Sequence, residues 1–172
     1  MKRYWYIILL FIVIPINLYS HGYENLWGIN SDELLKKIPG DKSYEIFKPQ
    51  DKNKYNNRAI TFFQAMGGSS SSINILRIKG TPDKDFCFFN GRLYSVSEEW
   101  NMIRTDKAEK LIKNIESRYD RENTVTKNRM TILTYKKNKT RVIIYKRPED
   151  SRNFKVKILF YSNDIFNILL TE

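Results

Sequence analysis

The chain predicts a single α+β domain: an antiparallel sheet of about five to seven strands, with one long and two short helices covering one face. Three observations carry this expectation. Apolar residues recur at helical spacing twice, first around Leu34 and again from Ala108 to Tyr119, while strand-type alternation fills the stretches between and after them. Asn90-Gly91 separates two runs rich in aromatic and branched residues, and this dipeptide suits the two-residue turn of a hairpin. The 172 residues show no internal repeat and match the length of one domain.

Each element follows from local chemistry. Asn30 caps a first short helix, Glu33 at its third position reaches back to the cap, and Leu34, Leu35 and Ile38 form its apolar stripe before Pro39-Gly40 ends it. Residues 41–57 are polar and lysine-rich, with Tyr44, Ile46 and Phe47 as a short apolar contact, and residues 58–65 have strand character. Gly67 to Ser72 is a Gly/Ser tract, expected to be a flexible loop inside the domain. A domain boundary there would leave about 45 residues on the N-terminal side, too few to stand alone without staples. Ile73 to Ile78 alternates as a strand, and Thr81-Pro82-Asp83-Lys84 is a turn. Phe86–Phe89 and Arg92–Val96 then form the hairpin around Asn90-Gly91. Asp106 and Glu109 are a capping pair for the long helix, whose buried stripe is Ala108, Leu111, Ile112, Ile115 and Tyr119. Met130–Tyr135 and Thr140–Lys146 make a second hairpin around Lys137-Asn138-Lys139. Phe154–Tyr161 is a further strand, with Phe154, Val156, Ile158 and Phe160 on one face and Lys155, Lys157, Leu159 and Tyr161 on the other. Asp164–Leu170 suits a short closing helix.

The stretch from Phe86 to Tyr119 resembles a group of small exported bacterial proteins of unassigned function. The shared pattern is a Phe-rich strand, an Asn-Gly-Arg-Leu-Tyr turn (typically N-G-K-L-Y in that group), and an amphipathic helix ending Ser117-Arg118-Tyr119. Leu26-Trp27-Gly28 before an acidic helix start is similar to their entry motif. Asp120 stands where the group has a glycine after the final tyrosine. The resemblance implies an α+β fold and an exported location, and it implies no activity.

The first twenty-two residues have the form of a secretory leader. Lys2 and Arg3 give the charged start, Tyr4 to Ile14 is an unbroken apolar run, and Pro15 precedes a more polar approach to a cleavage site. From Tyr4 to Tyr19 the run spans about 24 Å as a helix, short of a bilayer core of about 30 Å. Cleavage after Gly22 places Ser20 and Gly22 at the two positions where the peptidase wants small residues; cleavage after Ser20 places bulky Leu18 there. No cysteine lies nearby to be lipidated. The expected mature protein, residues 23–172, is therefore periplasmic or secreted, with a membrane-tethered domain as the alternative if the leader stays uncut.

Composition excludes several chemistries. A single histidine (His21) and a single cysteine (Cys87) cannot build the three or four Cys/His ligands of a zinc site, a disulfide framework, or a triad within the mature domain. His21 as a new N-terminus would offer Cu(II) an amine and an imidazole, but a brace-type site needs a second histidine. No metal or cofactor is expected. Cys87 lies within a Phe-rich strand and is expected to be a buried small hydrophobe. Glu98 and Glu99 point to opposite faces of a strand and cannot form a catalytic pair with each other. A partnership of one of them with Asp83 or Asp85 would be needed for a carboxylate-dependent hydrolase.

The remaining candidate is a basic surface. With residues 1–22 removed, 28 basic residues face 19 acidic ones, a net charge of +9. Lys137, Lys139, Arg141, Lys155 and Lys157 fall on the last strands, interleaved with Tyr135 and Tyr161, a combination that holds anions and stacks on rings. The same residues on a solvent-facing sheet also serve to block edge aggregation. The sequence therefore points to an exported, non-catalytic binding protein whose partner is an envelope or extracellular protein or an anionic glycan or lipid. Export makes nucleic acid the least suited of the anionic partners.

Overall fold

In the computed structural model, which describes residues 22–38, 44–47 and 73–164, the alternating stretches pair into one eight-stranded antiparallel sheet. In chain order the strands are β1 (Tyr44–Phe47), β2 (Ile73–Ile78), β3 (Asp83–Phe89), β4 (Arg92–Arg104), β5 (Asp120–Lys127), β6 (Met130–Lys137), β7 (Thr140–Pro148) and β8 (Asn153–Ser162). A 3-10 turn (Glu24–Leu26) and helix α1 (Ser31–Lys37) precede the sheet, and helix α2 (Thr105–Glu116) joins β4 to β5. Across the sheet the order is β1-β2-β3-β4-β8-β7-β6-β5. The α+β class holds, with eight strands in place of five to seven. The leader, the end of the first helix at Pro39-Gly40, the strand over 58–65, the Gly/Ser tract and the closing helix beyond Asp164 lie outside the described residues.

The hairpin at Asn90-Gly91 forms as expected. Asn90 has φ 45° and Gly91 φ 74°, the left-handed pair that a type I′ turn requires. Asn30 caps α1, its Oδ1 accepting from the Glu33 amide at 2.9 Å. Helix α2 corrects the expected cap. Arg104 occupies the N-cap with no side-chain bond, and Asp106 lies within the helix, 3.3 Å from the Arg104 guanidinium. The reason is continuity: β4 runs straight into α2, and the first turn is fastened from outside, with Thr105 N and Oγ1 both donating to the Arg152 carbonyl at 3.0 Å. At the other end Tyr119 N still bonds Ile115 O and the chain enters β5 at Asp120 with no left-handed residue, so no glycine is needed there. The turn expected at residues 81–84 is shorter, because Asp83 and Lys84 already belong to β3.

The core lies between the sheet and the elements carrying Tyr23, Leu26, Leu34, Ala108, Ile112, Ile115 and Tyr119. From the sheet it receives Leu76 and Ile78, Phe86 and Phe88, Leu93 and Val96, Leu133 and Tyr135, Val142 and Ile144, and Val156, Ile158 and Phe160. The residues on β8 are those the alternation assigned to one face. The segment before α1 is tied down by backbone bonds, Gly28 N to Leu93 O and Leu93 N to Ile29 O, both 2.9 Å, and by Trp27 Nε1 to Thr140 Oγ1 at 2.8 Å.

Ile158 is fully buried in the middle of this face, whereas Val125 on edge strand β5 is 45% exposed. Ile158→Ala should cost about 2–5 kcal/mol and Val125→Ala under about 0.5 kcal/mol. Equal shifts in urea midpoint for the two variants would contradict this placement of the core.

Candidate functional site

The expected basic site divides between the two faces of the sheet. Cross-strand register places Tyr135 beside Val142 and Phe160 on the helix-covered face, where it is fully buried and its hydroxyl donates to Glu116 of α2 at 3.0 Å. Burial pushes its phenol above the ordinary range. Tyr161, Arg141, Lys155 and Lys157 lie on the opposite face. Lys137 and Lys139 sit at the exposed β6–β7 hairpin.

Neither tyrosine offers a ring for stacking, since Tyr161 is also buried. Lys157 is only 7% exposed and lies 3.8 Å from Glu99, while Lys155 contacts the same carboxylate at 2.6 Å. Lys139 reaches Asp164 at 2.6 Å, and that hydrogen bond holds its ammonium above its usual range. Arg141 lies 3.5 Å from Glu122, and its guanidinium is raised first by Tyr161 and, against partial burial, by Glu122. The structure thus replaces one exposed basic face by two parts. Lys155 and Lys157 are internal counter-ions, and Lys137, Lys139 and Arg141 cluster with Lys136 at one hairpin end.

The carboxylates are matched likewise. Glu98 and Glu99 point to opposite faces, as strand geometry demands. Asp83 pairs in register with Glu99, but Glu99 is held by the two lysines and Asp83 accepts the Gly80 amide at 3.0 Å. Asp85 forms a two-pronged bond with Arg77, at 2.6 and 2.7 Å. Among the described residues no group of three His, Cys, Asp or Glu side chains converges to hold a metal ion.

A polar cluster of another kind lies in the core. Lys84 and Glu98, directly opposite on β3 and β4, meet at 2.8 Å with each side chain 9% exposed. Between them sits the hydroxyl of Tyr23, which donates to Glu98 and accepts from Lys84 at 3.0 Å. The Tyr23 ring is packed edge-on against Phe160 at 5.0 Å and Phe86 at 6.1 Å. Next to it Glu24 accepts the Tyr119 hydroxyl, and burial first, then Glu24, push that phenol well up. Local sequence holds no sign of this cluster: its members come from residues 23–24, 84, 98 and 119, and Lys84 looks like part of an exposed turn. Such an arrangement fixes the N-terminal segment on the sheet.

Cys87 is fully buried, and burial followed by the neighbouring Asp85 pushes its thiol up to about 12. It is a packed group, not a nucleophile. No known protein family, curated protein or solved structure matches the chain, so the geometry alone carries the functional reading.

Lys84→Met should cost about 3–5 kcal/mol because Glu98 is left buried and uncompensated, whereas the double variant Lys84→Met/Glu98→Met should recover much of the loss. A double variant as unstable as the single one would refute a paired burial. In the native protein at pH 8 Cys87 should react with a disulfide reagent roughly three orders of magnitude more slowly than in urea. Equal rates would show an accessible thiolate.

Proposed function

We propose that this chain is an exported, non-catalytic protein of the bacterial envelope that binds an anionic partner through the β6–β7 hairpin end of its sheet. Support for export comes from the leader-like residues 1–22. No helix among the described residues is long and apolar enough to cross a membrane. The observation that carries the binding surface is the direct opposition of Lys136 and Arg141 in the β6–β7 register, with Lys137 and Lys139 exposed beside them. Like charges facing each other across a sheet destabilise it by several tenths of a kcal/mol or more. Glu122 answers Arg141, Asp164 answers Lys139 and Asp120 faces Lys136 in the β5–β6 register, so four cations at this end meet three carboxylates and the excess positive charge falls at Lys137. An acidic group seated there would offset the repulsion. Lys155 and Lys157 contribute to the fold, since both serve Glu99.

The test has two parts. Fractionation with N-terminal sequencing of the native product should find a start at Tyr23 outside the cytoplasm; a Met1 start in the membrane fraction would make this a tethered domain. On an immobilised acidic polysaccharide, retention should fall as NaCl rises, because exposed charges are screened within about 8–10 Å at such ionic strengths. Lys136→Glu/Lys137→Glu should reduce it several-fold without lowering the thermal midpoint, since a carboxylate at position 136 would face Arg141 in place of a like charge. Salt-independent retention, or retention untouched by these substitutions, would sink the hairpin as the binding surface.

A further inference from the structure

The first turn of the domain presents a carboxylate that no lysine or arginine among the described residues bridges. Glu24 is half-buried, with one oxygen accepting the Tyr119 hydroxyl. Glu98, Glu99 and Asp85 are each answered by a lysine or arginine. Among the described residues no such partner bridges Glu24. Gly22 packs onto the same spot. A Cβ built there would overlap both the Glu24 carboxylate and the Tyr119 hydroxyl, so the backbone just ahead of Tyr23 lies in contact with the anion. Tyr23 cannot swing away from it, because the side chain is 4% exposed and held by Phe160, Lys84 and Glu98.

We propose that Glu24 is the receptor for the α-ammonium group of the processed chain. Cleavage after Gly22 replaces a neutral peptide N–H by an ammonium with a full charge and three donors, at the nitrogen bonded to the residue that abuts the carboxylate. The uncut precursor has no charge at that place, so processing itself completes the clasp that holds the N-terminal segment on the sheet. Gly22 is small where the peptidase requires it, and in the uncut chain its contact with Glu24 and Tyr119 leaves no room for a side chain. This inference rests on the reading of residues 1–22 as a removed leader.

The experiment uses residues 23–172, which hold every described strand and helix, released from an N-terminal fusion so that Tyr23 is the first residue. Its α-amine is left free or acetylated, with Glu24 intact or changed by Glu24→Gln. Acetylation should lower the thermal midpoint by about 3 °C or more when Glu24 is present and by under about 1 °C in Glu24→Gln. The same shift in both backgrounds, or none in either, would overturn the proposal. If Glu24→Gln does not fold, trace acetic anhydride labelling of the intact chain supplies the second measurement. The α-amine of Tyr23 should label several-fold more slowly than that of the same chain carrying a Gly-Ser extension; equal rates would refute the contact. A native protein found to start elsewhere than Tyr23 would refute the leader reading. The defined chain would still decide whether Glu24 receives the amine.

Discussion

The pairing of β4 with β8 is the constraint on which the rest of the molecule depends. β1–β4 and β5–β8 are each built from neighbours in sequence, and the β4–β8 ladder, running from Ser95–Tyr161 to Arg104–Asn153, is the seam that joins them. Helix α2 makes this seam necessary. It takes the chain from the end of β4 to the far edge of the sheet, and three further antiparallel turns bring β8 back to the centre. The seam sets Val96 beside Phe160 and Glu98 beside Ile158, which makes the helix-covered apolar face continuous across both halves. It also brings Arg152 to the start of α2, so the seam and the helix are fastened together at one end.

Set into that apolar face, the Lys84–Glu98–Tyr23 cluster acts on register more than on net stability. Removing two charges from water costs several kcal/mol for each ion, which their attraction offsets only with good geometry and further hydrogen bonds. Tyr23 supplies those bonds. A one-residue slip of β3 against β4 would carry Lys84 to the other face and leave Glu98 buried without a cation. The same penalty applies to a chain whose N-terminal segment has come away, because Tyr23 is the third member. The polar cluster thus specifies both how two strands align and where the beginning of the domain lies.

Much of the fold was legible where one side chain reports one local geometry. Asn90-Gly91, the Asn30 cap, the Ala108–Ile115 stripe and the alternation of β8 all behave so. Strand β5 was not, because all eight of its residues are exposed and its polar composition carries no alternation to detect. The candidate site failed in a more instructive way. Closeness in sequence groups Tyr135 with the lysines, yet it shares parity with Leu133 and pairs with Val142, which commits it to the core. Strand alternation alone places Lys157 on the solvent face, though a partner 58 positions earlier, Glu99, makes it an internal counter-ion. Charge in a sequence does not reveal which cations are already answered; only the cross-strand register does.

Strand β5 has a consequence for how this chain behaves beside copies of itself. Among the described residues it is the last strand of the sheet, and an open edge of this kind is a template on which sheets grow from one molecule to the next. Two-fold growth through this edge must centre on a residue facing its own image. Centred on Glu122, two carboxylates collide; centred on Thr124, Arg121 meets Lys127. Centred on Asn123, the pairing runs into the irregularity that displaces Glu122 from the β5–β6 ladder. The strand that composition made hardest to recognise is thereby the one that ends the described sheet, and its charges and its irregularity disfavour two-fold pairing centred on Glu122, Asn123 or Thr124.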